Sequence, residues 1–144
     1  MKIAIGNDHA GPDYKFKIIK LLESKDILVD NYGTNSEASV DYPDFVHPVA
    51  NAVNDKKVDL GILICGSGNG VCMTANKYEK VRAGLGWNSE VVKLLKLHNN
   101  ANILCIPARF VSLEEALNFV EIFLSTSFEG GRHQNRIDKI PLTC

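Results

Sequence analysis

The run Leu60-Gly61-Ile62-Leu63-Ile64-Cys65-Gly66-Ser67-Gly68-Asn69-Gly70-Val71 decides the architecture. Its first half, residues 60–64, is continuously apolar, as expected of a strand buried on both faces in a parallel sheet. Alternating glycines follow, and a helical segment covers about residues 71–78. Outward from this unit the same alternation repeats. Residues 2–6 read as a strand. Gly11-Pro12 then opens a helix, with proline suited to the first turn and Phe16, Ile19 and Leu22 or Glu23 on its apolar face. Residues 27–31 form a second strand. Residues 43–54 form a helix with Phe45, Val49, Ala52 and Val53 inward. Residues 82–87 and 102–106 are further strands. Asn88 or Ser89 caps a helix over 90–97, and Ser112-Leu113-Glu114-Glu115 is a capping box before a helix over 116–124. The polar tail 129–139 has room for one more helix. Five alternations predict an α/β fold with a parallel sheet and helices on both faces.

In such a sheet, ligands bind beyond the carboxyl ends of the strands. The loops to inspect are therefore residues 7–11, 41–43, 65–70, 87–88 and 107–110.

The 144 residues suit one domain, and 45% apolar with 23% charged residues excludes a disordered or fibrous chain. Sixteen Lys plus Arg against seventeen Asp plus Glu leave a net charge of −1, without the basic excess of a general nucleic-acid binder. Near-neutrality does little to oppose self-association. No apolar run approaches 18 residues, so no membrane span is expected. The first residues read as a strand, not a signal peptide. The four cysteines, Cys65, Cys72, Cys105 and Cys144, match no zinc spacing and no CxxC pair, so reduced cytoplasmic thiols are the default. Cys105 and Cys72 read as core residues. Cys144, at the terminus, is expected to be mobile.

Cys65 differs, because it ends the central strand where a glycine loop begins. Exposed N–H groups in such a loop attract anions and favour thiolate over thiol. Gly66, Gly68 and Gly70 form a GxGxG pattern, which is neither the GxGxxG dinucleotide fingerprint nor a P-loop. A plain strand-to-helix turn is the alternative. A phosphatase of the C-x5-R type needs Arg at position 71, which is Val. Proton abstraction beside a carbonyl remains, with the loop N–H groups holding the oxyanion. His9 and His98 fall in or beside the expected ligand rim, and His47 reads as structural. Arg132 and Arg136 are i and i+4, so on a helix they share a face that suits a phosphate dianion.

The combination Gly6-Asn7-Asp8-His9-Ala10-Gly11, Asp41-Tyr42-Pro43, Cys65-Gly66-Ser67-Gly68-Asn69-Gly70, Ala75-Asn76-Lys77, His98-Asn99-Asn100-Ala101-Asn102 and Gly130-Gly131-Arg132-His133-Gln134 closely resembles the ribose-5-phosphate isomerase B family of sugar-phosphate isomerases, from Met1 to about Ile140. The resemblance implies a Rossmann-like three-layer α/β/α sandwich with a five-stranded parallel sheet. It implies a single isomerase domain over 1–144, with the tail 129–144 reaching a partner subunit. It implies a homodimer with shared sites and neither metal nor organic cofactor, and leaves open whether dimers pair into a tetramer. The reaction it implies interconverts ribose 5-phosphate and ribulose 5-phosphate through an enediolate.

Residue by residue, Cys65 resembles the base between C1 and C2, and Ser67 the hydroxyl that assists proton transfer to oxygen. The backbone of Gly66, Gly68, Asn69 and Gly70 matches the oxyanion pocket. His98 and Asp8 match the ring-opening pair, with His133 as helper. Tyr42 and Asn99 match sugar-hydroxyl contacts, and His9, Arg109, Arg132 and Arg136 the phosphate clamp. Val71 and Cys65 together resemble the branch with a cysteine base. Trp87, Leu97 and Pro107 depart from the family's usual pattern. The alternatives are an isomerase of allose or galactose 6-phosphate and a flavodoxin-like nucleotide-binding module.

Overall fold

Strands and helices alternate along residues 1–142, the part of the chain that this computed structural model describes. In order they are β1 (Lys2–Asn7), α1 (Pro12–Glu23), β2 (Leu28–Asn31), α2 (Tyr42–Asn54), β3 (Leu60–Cys65), α3 (Asn69–Ala75), β4 (Ala83–Leu85), α4 (Ser89–Leu97), β5 (Ile103–Pro107), α5 (Leu113–Ser125) and α6 (Arg132–Ile137). The expectation for Cys144 falls outside the described residues.

All strand pairs are parallel, in the order β2-β1-β3-β5-β4. The apolar run 60–65 takes the centre, as its composition requires. Sequence order does not give the swap of the last two strands, but burial accounts for it. All five residues of β5 are buried, whereas β4 has three residues and buries only Gly84, so β5 takes the interior place.

The two faces follow the period of two along each strand. Ile3, Ile5, Ile62, Ile64, Leu104 and Ile106 pack against Ile18, Leu22, Val92, Phe119 and Phe123 of α1, α4 and α5. Ala4, Leu63, Cys65, Ile103 and Cys105 pack against Val46, Val49, Val71 and Ala75 of α2 and α3. This is a Rossmann-like three-layer α/β/α sandwich. The chain leaves β1 for β2 on one side and returns to β3 on the other. The loops after β1 and β3 therefore diverge, and a crevice opens between them.

Several local readings hold and several shift. Asn88 caps α4 through its side chain, which accepts from Val91 N at 2.8 Å. Ser112 and Glu115 form the capping box of α5. α3 starts two residues earlier than the pattern suggested, because the glycine turn is tighter. On α1 the inward stripe is Lys15, Ile18 and Leu22, while Phe16 is exposed. On α2, Val46 is buried and Phe45 only partly so. Cys105 is in the core, whereas Cys72 is half-buried with its Sγ donating to Ala83 O. His47 hydrogen-bonds Tyr78 Oη at 2.9 Å on the surface. Among the described residues, no helix is long and apolar enough to cross a membrane.

Candidate active site

The carboxyl rim of the sheet gathers one set of functional side chains. Asn7 pairs with Ile64 in the β1–β3 register, so Asp8 and Cys65 leave neighbouring strands side by side. Asp8 N donates to Ile64 O at 3.1 Å, and its buried carboxylate accepts from Ala10 N at 2.8 Å. Cys65 is buried at the loop, and its sulfur accepts the Gly68 N–H at 3.0 Å. Gly68 makes that bond in a left-handed conformation, φ +74°, that a side chain would strain. Ser67 is exposed beside it, and its hydroxyl accepts from Asn69 N.

Two further groups close over the loop. A Cβ on Gly70 would come within 2.4 Å of Tyr42 Cζ, so the Tyr42 ring lies directly on the glycine turn. A Cβ on Gly66 would lie 3.1 Å from Arg109 Cδ, so the guanidinium arm covers the other side. The backbone fixes Arg109 there: Ala108 N donates to Cys65 O and Arg109 N to Gly66 O, at 2.9 and 3.0 Å. His9 Nδ1 accepts from Val40 N at 3.3 Å, which leaves its Nε2 to act as a donor. Cation, imidazole donor, thiol, hydroxyl and carboxylate thus stand on one rim.

The remaining expected residues lie at the other end of the sheet. A helix that follows a parallel strand runs back along it. His98 is the C-cap of α4, so it sits at the amino rim. Arg82, just before β4, confirms the placement: its Nε donates to the carbonyls of Asn99 and Asn100. Glu129 N donates to Leu97 O, which brings the start of the tail to the same rim. There His98, Asn99, His133, Arg136, Ile137 and Ile140 line one cavity. The His98 and His133 rings stack at 4.2 Å between centroids. Burial, and then the His98 charge, hold the His133 imidazole below its ordinary pKa. Arg132 and Arg136 are both exposed on α6.

The expectation that His98 borders the same rim as Asp8 is therefore corrected. β3 is six residues long, and at about 3.3 Å per residue the two rims are separated by roughly 17 Å. Within one chain, Asp8 and Cys65 cannot meet His98, Asn99, His133, Arg132 or Arg136.

The family model described as Ribose/Galactose Isomerase matches residues 3–140. The chain belongs to that family. It is 47% identical over 140 residues to the probable ribose-5-phosphate isomerase B of Mycoplasma genitalium, covering 96% of this chain and 92% of that one. The ribose 5-phosphate isomerase of Thermotoga maritima superposes with a TM-score of 0.94 at 46% identity, over 97% of both chains. The Mycoplasma genitalium enzyme, whose structure contains bound ribulose 5-phosphate, superposes at 0.93 and 47% identity, over 96% of this chain and 93% of that one.

Within the ribose/galactose isomerase fold, the sequence reading overlooked three residues. Glu129 stands 3.7 Å from His98 Nε2 and 3.6 Å from His133 Nε2. Its signal was an acid directly before the Gly130-Gly131-Arg132-His133 motif. Lys15 is fully buried, and its amine donates to Thr34 O and, at 2.6 Å, to Asn35 Oδ1. Its place three and seven residues before Ile18 and Leu22 put it in the apolar stripe. Asn7 is buried, with Oδ1 unpaired among the described residues.

Proposed function

We propose that this chain is an aldose–ketose isomerase that interconverts ribose 5-phosphate and ribulose 5-phosphate, with Cys65 as the base. The observation that carries the reading is the Cys65 sulfur, which accepts a loop N–H under Tyr42 and Arg109. The Gly68 N–H fixes the sulfur at the mouth of the loop, and a thiolate is the form of cysteine that abstracts protons. The named relatives support the substrate.

The roles then follow from the two rims. The phosphate is held by His9 and Arg109 on one chain and by Arg132 and Arg136 on a second. Two guanidinia on one helix face suit a phosphate dianion. Phosphate binding at the far end spends its energy on orienting C1 and C2 against Cys65. Asp8 and the second chain's His98, assisted by His133, open the furanose by moving a proton between the anomeric hydroxyl and the ring oxygen. Tyr42 and Asn99 hold the sugar hydroxyls. Cys65 takes the C2 proton. The electron pair moves to the carbonyl oxygen and forms the enediolate, which the backbone of residues 66–70 stabilises. Ser67 relays the proton between oxygens, and Cys65 returns its proton to C1. The working unit is a homodimer, with the tail 129–144 serving the partner's site. Free Cys65, Cys72 and Cys105 suit the reducing cytoplasm.

A substrate panel tests this reading. Ribose 5-phosphate, allose 6-phosphate and galactose 6-phosphate are each incubated with the protein, and ketose is followed by NMR. Ribose 5-phosphate should turn over fastest. Cys65→Ala should lower that rate by about 10²–10⁴-fold while the protein still folds and binds the sugar phosphate. Near wild-type turnover by Cys65→Ala sinks the base assignment. Faster turnover of a 6-phosphate sinks the substrate assignment.

A further inference from the structure

We infer that Arg82 is a positioning residue for ring opening: its guanidinium holds the turn that carries His98 and Asn99. The inference rests on the role proposed above for His98. The Arg82 side chain is half-buried and forks onto that turn. Its Nε donates to Asn99 O at 3.1 Å and to Asn100 O at 3.0 Å, and Nη2 donates to Asn100 O at 2.9 Å. A planar fork with several donors on backbone carbonyls fixes direction as well as distance.

The turn needs such a tie. Helix α4 ends at its C-cap His98, and Asn100 takes a left-handed conformation, φ +45°, as the chain turns toward β5. Leu95 O accepts from Ala101 N, Lys96 O from Asn100 N and Leu97 O from Glu129 N. Those bonds close the helix end itself. The carbonyls of Asn99 and Asn100 lie beyond it, and Arg82 takes both. Its charge also stands at the negative end of the α4 dipole, where a cation is favoured.

The root of the arm is rigid. Arg82 N donates to Asn102 Oδ1 at 2.7 Å, and Arg82 O accepts from Asn102 N at 3.0 Å and Ile103 N at 3.3 Å. Asn102 Nδ2 in turn donates to Lys80 O at 2.8 Å. The Arg82 backbone is thus bound to the start of β5, and its side chain carries the position of the sheet to the His98 turn. With Nε and Nη2 engaged by carbonyls, Arg82 acts through that turn and not on the substrate. Ring opening needs the imidazole within hydrogen-bond reach of the sugar, and a misplacement of about 1 Å costs on the order of 10²-fold. Proton transfer by Cys65 makes no use of His98, so the two steps can be told apart.

Two rates followed by NMR in D2O with the full-length protein test this. Ribulose 5-phosphate has no ring to open, because its phosphate occupies the oxygen that would close a furanose. Deuterium uptake at its C1 therefore reports proton transfer alone, whereas conversion of ribose 5-phosphate needs ring opening as well. Arg82→Gln should lower conversion by about 10–100-fold and deuterium uptake far less, the same pattern as His98→Ala. The double variant should be no slower than His98→Ala, because the two residues act as one unit. Arg82→Lys keeps the charge but not the fork, so its conversion should fall between the parent and Arg82→Gln, and it carries the test if the glutamine variant does not fold. Unchanged conversion in Arg82→Gln, equal loss of both rates, or losses that add in the double variant overturn the inference and leave the isomerase reading untouched. Equal loss of both rates in His98→Ala overturns the ring-opening role of His98, and the inference with it.

Discussion

A thiol at the end of a buried strand is reactive only if the backbone beyond it supplies a charge partner. Gly68 supplies one here, and only a residue without a Cβ can do so cheaply at φ +74° with Leu85 so near. Gly68→Ala should cost about 1–3 kcal/mol of stability from backbone strain alone, measured by urea unfolding. It should also lower turnover, because the N–H leaves the sulfur. Unchanged stability and turnover would mean the loop is merely a turn. Cys65, Ser67 and the glycines were legible in the sequence because they are contiguous, and contiguous residues after a buried strand share one rim. Tyr42 and Arg109 were assigned by resemblance, and their seats on Gly70 and Gly66 needed coordinates. His98 was misplaced because a motif carries no direction. Its direction is set by α4, which runs back from the carboxyl rim.

At the scale of elements, α1 shows what an apolar pattern hides. Phe16 looks like an inward residue and Lys15 like a surface one, yet the helix turns the lysine inward. There the amine ties down the segment after β2, at Thr34 and Asn35, and that segment carries the Val40 N–H that fixes His9. A propensity reading cannot find this, because the partners are a carbonyl and an amide some 20 residues away. Desolvation pushes the Lys15 amine down to about 8 from 10.5. Between those values the unfolded chain keeps a proton that the folded chain has released. Stability from this group therefore rises with pH across that window, and its cost is fully present below about pH 8. In urea unfolding between pH 8 and 10.5, the stability of Lys15→Met should rise less with pH than that of the parent. Equal slopes in the two proteins would contradict the burial of a titrating amine. Strand order was equally hidden, since the exchange of β4 and β5 depends on which strand buries more.

For the whole molecule, the separation of the two rims is the decisive fact. One chain carries Cys65, Ser67, Asp8, His9 and Arg109, the proposed base and its partners, at one end. It carries the imidazole pair and the remaining arginines at the other. In the proposed symmetric dimer each rim would meet the complementary rim of its partner, and each pair of chains would form two sites. Net charge gave no sign of this, because −1 averages over arginines and acids that the fold places apart. The tail 129–139 reads alone as a solvated basic segment, and its position beside His98 is what the proposed shared site draws on.

Mixing two inactive chains tests the shared site most directly. Cys65→Ala lacks the proposed base but keeps Arg136, and Arg136→Ala lacks part of the proposed clamp but keeps Cys65. After subunit exchange at equal amounts, half the dimers are hybrids, and each has one site with both residues intact. The account predicts recovery of about a quarter of the parent activity toward ribose 5-phosphate. No recovery despite demonstrated exchange would contradict it.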